Sequence, residues 1–242
     1  MTGHRTGRRA GHTTGHTTGP GLGAVALVMA KAPVPGQAKT RLAARVGPEA
    51  AADVAAAALL DTLDACESAF GAARSHLALT GDLAAAARGD EIISRLRAWT
   101  VHQQRGAGFA ARLAHAHQDV GRHADAPVVQ VGMDTPHVNG AHLREVAALL
   151  EGTDAVLGPA LDGGWWVLGL RNHAPAAALT GVPMSTESTC ADTEAALAAA
   201  GAAVVRTRSL RDVDTVEDAA AVAGEAPGSR FAEAWSSVEA RR

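Results

Sequence analysis

Residues 24–42 read AVALVMAKAPVPGQAKTRL and join an apolar run to a short cationic segment. The run from Ala24 to Ala30 is apolar throughout, which is typical of a strand buried on both faces of a sheet. The proline-containing loop that follows leads toward a helical pattern, so it would stand at the carboxyl end of a strand in a parallel sheet. Ligands of open α/β sheets bind at that edge, and the loop is therefore the first candidate for a site.

The rest of the chain alternates short β-like runs with alanine-rich helical patterns. The predicted strands are Ala24–Ala30, Ser75–Thr80, Trp99–His102, Pro127–Gly132, Ala155–Gly158, Trp165–Leu170 and Ala202–Thr207. The predicted helices are Pro48–Cys66, Gly108–Val120, Asn139–Glu151 and Ser188–Ala200, with another beginning at Thr215 and a last one over Phe231–Val238. The alternation predicts the α/β class, with a mostly parallel sheet and helices on both faces. No repeat or long linker interrupts Gly21 to Val222, so residues 21–242 are predicted to form one domain that ends in a helix.

Composition excludes several classes of function. The 242 residues carry 22 lysines and arginines against 25 acidic residues, and only 3% are aromatic, so no nucleic-acid partner is expected. Cys66 and Cys190 lack metal-ligand spacing and predict no disulfide framework, which fits a cytoplasmic protein. The longest apolar stretch is too short to predict a membrane span. Residues 1–20 are predicted to be a disordered low-complexity tail, and the oligomeric state stays open.

The cationic loop after the first strand is predicted to bind phosphate. Lys31, Lys39 and Arg41 bring three positive charges together. Pro33 stiffens the loop, and Gly36 permits close approach of the backbone to a ligand. The loop is not a Walker A motif, because no glycine directly precedes Lys39. A solvated basic loop is the alternative that these residues leave open.

Acidic residues at two other positions are candidate metal ligands. Asp134 follows an apolar strand, where an isolated carboxylate could equally start a turn or a helix. Asp212 and Asp214 lie two apart on an extended stretch, hence on one side of it. Thr215 and Asp218 have the spacing of a capping box, which leaves the two preceding aspartates free. The three free carboxylates could supply the one or two that Mg²⁺ takes while phosphates and water complete its shell.

A third candidate segment joins two predicted strands through Asp162, Gly163 and Gly164. Asp-Gly-Gly is also a common turn, so the segment alone is weak evidence of a site. Trp165 and Trp166 must point to opposite faces of the next strand, so one is expected in the core and the other over the site. We assign Trp166 to substrate binding.

Four segments together resemble a known family. They are residues 30–42, Gly132-Met-Asp-Thr-Pro, Gly158-Pro-Ala-Leu-Asp-Gly-Gly-Trp-Trp and Asp212-Val-Asp-Thr. In order and spacing they are similar to the bacterial GT-A-fold proteins called nucleotide-diphospho-sugar-transferase-like or glycosyltransferase-like. More distantly they resemble the 2-phospho-L-lactate guanylyltransferases and the molybdenum cofactor guanylyltransferases. The resemblance covers roughly Ala24 to Val222 and implies a GT-A, Rossmann-like architecture.

The resemblance also implies roles for individual residues. Lys39 and Arg41 would hold nucleotide phosphates, and Asp134 would match the family's acidic metal position, with Mg²⁺ or Mn²⁺ as the ion. The pair Asp212 and Asp214 would match the second acidic position, and either could be the ligand. The segment 162–164 would line the acceptor or nucleotide pocket. The chain departs from the family pattern at Met133, Trp165, Trp166, Glu187 and Cys190, which leaves substrate specificity open.

Three functions remain after this reading. The first is transfer of a nucleotidyl group from an NTP to a small phosphate, carboxylate or hydroxyl acceptor, with release of pyrophosphate. Catalysis would then consist mostly of positioning and charge neutralisation. The second is glycosyl transfer from a nucleotide sugar, in which the same metal would hold the diphosphate leaving group. The third is nucleotide binding without catalysis.

Overall fold

The computed structural model describes residues 23–241, built around a seven-stranded sheet. The predicted tail over residues 1–20 therefore lies outside the described residues. The strands are β1 (Val25–Lys31), β2 (Ser75–Thr80), β3 (Thr100–Gln103), β4 (Val128–Gly132), β5 (Ala155–Pro159), β6 (Trp165–Leu170) and β7 (Val204–Arg206). The helices are α1 (Thr40–Val46), α2 (Pro48–Phe70), α3 (Gly89–Arg95), α4 (Gly108–Gly121), α5 (Gly140–Leu149), α6 (Thr189–Ala199), α7 (Val216–Glu225) and α8 (Arg230–Glu239).

The strand order is β3-β2-β1-β4-β6-β5-β7, and every neighbouring pair is parallel except those that involve β6. The predicted mostly parallel sheet is confirmed. Because β6 is antiparallel to both β4 and β5, these two strands point the same way and β6 begins where they end. The hairpin loop between β5 and β6 thus lies at the same edge as the loops after β1 and β4. The topology gathers all the candidate segments of the sequence at one edge of the sheet.

Alternation along the central strand divides the core between the two faces of the sheet. Val28 of β1 packs in the cluster that includes Leu59 of α2 and Leu143 of α5. Leu27 packs on the opposite face, in the cluster that includes Leu113 of α4. Helices therefore cover both faces, as predicted. This burial on both faces is the reason that β1 is apolar along almost its whole length.

The last helix, predicted over Phe231–Val238, is α8 and packs on α2. Phe231 and Trp235 of α8 are buried in a third cluster, together with Val54 of α2. Between residues 23 and 241, no helix combines the length and the apolar character that a membrane crossing requires.

Candidate active site

Lys39 holds together the three segments that meet at the carboxyl edge of the sheet. Its Nζ lies 2.7 Å from Oδ1 of Asp134 and 3.1 Å from Oδ1 of Asp214. The same ammonium donates to the backbone carbonyl of Val213. The side chain is 10% exposed, so these contacts are largely shielded from water. The cationic loop predicted to bind phosphate is therefore joined directly to the carboxylates predicted to bind a metal.

The environment of Lys39 keeps the ammonium charged. Burial lowers the pKa of Lys39, but the charges and hydrogen bonds of Asp134 and Asp214 outweigh burial and hold this pKa above the ordinary 10.5. Lys39 also has a left-handed backbone, with φ of 47°, at the position just before α1. A buried, fully charged lysine between two aspartates provides a fixed positive charge at the centre of the site.

The other predicted cations lie farther out. A guanidinium nitrogen of Arg41 is 3.4 Å from Oδ2 of Asp214, and its side chain is 78% exposed. Lys31 is exposed, and its ammonium donates to the carbonyl of Gln37 at 2.8 Å. Both side chains line the cleft described below and can contact an anionic ligand there.

Pro33 and Gly36 give the loop its shape and do not line the cleft. Pro33 is buried, and its carbonyl accepts a hydrogen bond from the Ala87 N–H at 3.0 Å. Gly36 has φ of 75°, a conformation that favours glycine. Neither residue is among those that line the cleft, so both shape the loop, and their assignment to ligand binding stays a prediction.

Asp212 and Asp214 reach the cleft because the residue between them is anchored. The Val213 N–H donates to the carbonyl of Asp134 at 2.8 Å, and the Val213 side chain is buried. The aspartates on either side of Val213 both line the cleft. Thr215 then begins α7 in a capping box with Asp218, as predicted. The local acidity is thus divided between a helix cap and the site.

Asp212 lies in the more negative part of the cleft. Burial raises the pKa of Asp212 to about 6, and the negative charges of Asp162 and Asp214 act in the same direction. Asp162 itself is exposed and accepts the Gly164 N–H at 2.8 Å, which closes the turn between β5 and β6. A cation that approached these carboxylates would relieve their mutual repulsion.

Gly163 lets this turn pack against the segment before α6. Its φ is 92°, and a Cβ at this position would lie 2.2 Å from the Glu187 carbonyl oxygen. The Gly163 carbonyl in turn accepts the Cys190 N–H at 2.8 Å. The close approach explains why a glycine stands here, and it places Glu187 beside the cleft.

Both tryptophans line the cleft, and Trp165 is the more exposed of the two. Trp166 is 3% exposed in the core, and its indole N–H donates to the Arg208 carbonyl at 2.9 Å. Trp165 is only partly buried, and its indole N–H donates to the Thr193 hydroxyl at 3.2 Å. The assignment of Trp166 to substrate binding stays a prediction, and the more exposed Trp165 is a second candidate for that contact.

These residues surround one cleft with two lobes. The first lobe, about 410 Å³, is lined by Met29, Ala30, Lys31, Gln37, Ala38, Lys39, Thr40, Arg41, Ala55, Thr80, Gln104, Phe109, Arg112, Gly132, Met133, Asp134 and Asp214. The second lobe, about 490 Å³, is lined by Met29, Arg41, Phe109, Gln130, Gly132, Asp134, Thr135, Ala160, Asp162, Gly164, Trp165, Trp166, Met184, Ser185, Thr186, Glu187, Thr189, Asp212 and Asp214. The two lobes meet at Arg41, Asp134 and Asp214.

Several lining residues were missed by sequence reasoning, and three of them follow β3. Phe109 is 48% exposed and borders both lobes, and Arg112 follows one turn later on α4. Gln104 is held by two hydrogen bonds from its amide nitrogen, to the carbonyls of Ala30 at 2.9 Å and Ala78 at 2.8 Å. All three lie just after β3, so the rule that ligands bind at strand ends would have found them had it been applied to that strand.

The carboxylates fit a magnesium ion that shares its shell with a ligand. No group of three or more His, Cys, Asp or Glu side chains between residues 23 and 241 forms a preformed metal site. Asp134 and Asp214 nevertheless keep 46% and 40% of their side chains exposed at the meeting of the lobes. Mg²⁺ is usually held by one or two carboxylates, with phosphates and water as the other ligands. The donor set present is of that kind.

Comparison with known proteins relates this chain to a family and a fold. The family model described as "Uncharacterized protein conserved in bacteria (DUF2064)" matches residues 62–186, just over half of the chain. A provisionally named nucleotide-diphospho-sugar transferase from Desulfovibrio desulfuricans G20 superposes with a TM-score of 0.76 at 24% identity, over 89% of this chain and 93% of that one. No curated protein matches the sequence.

More distant solved structures share the architecture. A cytidylyltransferase from Leptospira borgpetersenii superposes with a TM-score of 0.55 at 10% identity, over 91% of this chain and 95% of that one. The bifunctional IspDF of Campylobacter jejuni gives 0.53 at 11% identity, over 81% of this chain and 53% of that one. The α/β fold implied by the sequence resemblance is confirmed.

Proposed function

This chain is a member of the bacterial family DUF2064, and we propose that it is a metal-dependent nucleotidyltransferase. An oxygen of a small acceptor attacks the α-phosphorus of an NTP, the bond from that phosphorus to the bridging oxygen breaks, and pyrophosphate leaves. The observation that carries the proposal is the cluster of Lys39, Asp134 and Asp214 where the two lobes of the cleft meet. The names of the structural neighbours, a cytidylyltransferase among them, agree with this chemistry.

Each cluster residue has a part in this reaction. Lys39 supplies a fixed positive charge beside the transferred and leaving phosphates, and the exposed Arg41 reaches them from the solvent side. Asp134, with Asp214 or Asp212, would hold Mg²⁺ or Mn²⁺. The ion supplies charge neutralisation on the phosphate oxygens when it is bound. Met29 and Phe109 line both lobes and supply apolar surface beside the reacting groups.

The test combines binding with turnover. We expect one NTP to raise the melting temperature when Mg²⁺ is present, and to have no such effect when a chelator removes the metal. Pyrophosphate should form when an acceptor is then added. Asp134→Asn should abolish the Mg²⁺-dependent part of the shift. Asp90→Asn is the matched control, since Asp90 is exposed on α3, away from the cleft. A full metal-dependent shift in Asp134→Asn would remove Asp134 from the proposal.

Glycosyl transfer from a nucleotide sugar is the second candidate. The TM-score of 0.76 to a provisionally named nucleotide-diphospho-sugar transferase favours it, as does a second lobe with room for a sugar. A metal-dependent shift with UDP-glucose or GDP-mannose, together with transfer of the sugar and no pyrophosphate from any NTP, would select this candidate. Nucleotide binding that persists in Asp134→Asn, together with no turnover by the wild-type protein, would indicate a non-catalytic nucleotide-binding protein.

A further inference from the structure

The charged side chains of the cleft are segregated by sign. Those that line only the first lobe are cations: Lys31, Lys39 and Arg112. Those that line only the second lobe are acids: Asp162, Glu187 and Asp212. Arg41, Asp134 and Asp214 are shared. The two halves of one cleft therefore favour ligands of opposite charge.

The shared residues do not cancel this polarity in the second lobe. Arg41 is the one cation that lines this lobe among residues 23–241, and its guanidinium is already 3.4 Å from Asp214. The Arg41 side chain is 78% exposed, and Asp162 and Glu187 are exposed as well, so water screens both signs of charge here. The acids still outnumber the cation in this lobe. An anionic ligand in the second lobe would meet Asp162, Glu187 and Asp212 without a matching cation.

The uncharged lining of the second lobe suits a hydroxyl-bearing molecule. Trp165 presents a partly exposed indole whose N–H is already bonded to Thr193, so the ring is held in place and offers its apolar surface. Ser185 is exposed and also lines this lobe, and the carboxylates accept hydrogen bonds from hydroxyl or ammonium groups. The lobe, at about 490 Å³, has room for a sugar-sized ligand.

We infer that the second lobe takes a polyhydroxy acceptor, neutral or carrying an ammonium group, rather than a phosphorylated or carboxylated one. The inference rests on the proposed function and narrows its acceptor to hydroxyl compounds. A hydroxyl oxygen of the acceptor forms the bond to the α-phosphorus, pyrophosphate leaves with the bridging oxygen, and the hydroxyl proton passes to water. The triphosphate occupies the cationic first lobe, so both ligands find a matching charge.

Four compounds with the same six-carbon sugar framework test the inference by charge: glucose, glucosamine, glucuronate and glucose 6-phosphate. Each is titrated into the full chain with Mg²⁺, and binding is followed by the fluorescence of Trp165. The other three tryptophans, Trp99, Trp166 and Trp235, are buried, and Trp165→Phe identifies the signal. We expect glucose and glucosamine to bind. The affinity for each of the two anions should be lower by about tenfold or more. Equal or tighter binding of glucose 6-phosphate overturns the inference, as does a lack of response to both glucose and glucosamine.

Charge-neutralising variants test the cause. In the double variant Asp162→Asn/Glu187→Gln, the difference in affinity between glucose and glucose 6-phosphate should shrink severalfold. Glu187→Gln alone, at an exposed position, should give part of that effect. Glu233→Gln, exposed on α8, is the matched control and should keep the full difference. An unchanged difference in the double variant overturns the inference.

Nucleotide-induced melting shifts are recorded on the same samples. A missing nucleotide shift, with the order of the hexoses intact, would count against the proposed function alone. A nucleotide shift with the order reversed would count against the acceptor class alone.

Discussion

Replacing Lys39 by methionine removes the charge that holds Asp134 and Asp214 together. The Nζ lies 2.7 and 3.1 Å from the two carboxylates. Loss of one partner from a fully buried ion pair costs about 3–5 kcal/mol of folding free energy. Here the carboxylates are 46% and 40% exposed, so water screens them once they are unpaired. We expect the free energy of unfolding of Lys39→Met to fall by about 2 kcal/mol at pH 7.

The same substitution should change ligand binding in two opposite directions. Without the ammonium, the two carboxylates present more net negative charge, so Mg²⁺ in the absence of nucleotide should bind about tenfold more tightly. A nucleotide loses its central cation and should bind more weakly. Added Mg²⁺ should recover part of the lost stability, because it binds only to the folded cluster.

Urea denaturation and Mg²⁺ titration calorimetry on the wild type and Lys39→Met measure both effects. Lys31→Met is the matched control, because the exposed Lys31 ammonium donates to the Gln37 carbonyl and forms no ion pair with any residue from 23 to 241. The control should keep both its stability and its Mg²⁺ affinity. Unchanged stability of Lys39→Met, combined with unchanged or weaker Mg²⁺ binding, would refute the central place given to Lys39.

Three further outcomes are expected. Burial holds the pKa of His117 at about 4, below the ordinary 6.5. Between these two pH values the unfolded chain binds a proton that the folded chain does not, so this contribution to the free energy of unfolding is present above pH 6.5 and is lost toward pH 4. Urea denaturation should show a loss of about 2 kcal/mol at pH 5. In His117→Gln the free energy of unfolding should fall less on acidification, because this histidine is absent. The same fall as in the wild type would contradict the role given to His117. Gly163→Ala should lower the melting temperature, at a cost of about 2 kcal/mol of folding free energy, because the new Cβ would clash with the Glu187 carbonyl oxygen. Gly224→Ala should not lower it, because no atom lies within 4 Å of a Cβ at that position. Equal melting temperatures of the two variants would count against the close packing of the turn. Arg41→Gln should leave stability within about 0.5 kcal/mol, since its ion pair is exposed, yet weaken NTP binding in a thermal-shift titration; unaltered NTP affinity would remove Arg41 from the phosphate site.

Local sequence chemistry determined much of the fold. The strands Ser75–Thr80 and Trp165–Leu170 have the bounds that their apolar patterns predict. Asn139 caps α5 as expected, because its side-chain oxygen accepts the N–H groups of Ala141 and His142. Patterns of this kind depend on neighbours within a few residues, so the sequence alone displays them.

The two short helices and the direction of β6 could not be predicted from the sequence. The helices α1 and α3 span seven residues each and were not predicted, since a helix of two turns carries too little periodicity to be recognised. The antiparallel direction of β6 follows from the hairpin at Asp162. An Asp-Gly-Gly turn is compatible with several connections, and the sequence did not select among them.

The sequence by itself determined the fold class and the segments that carry charge at the strand ends. Only the tertiary structure decided that Lys39 lies between Asp134 and Asp214, the latter 175 positions away along the chain. It also decided how far each tryptophan is exposed at the cleft and how cations and acids divide between the two lobes. The physical reason is that these features depend on where β1, β4 and β5 end relative to one another, and that follows from the packing of the whole sheet.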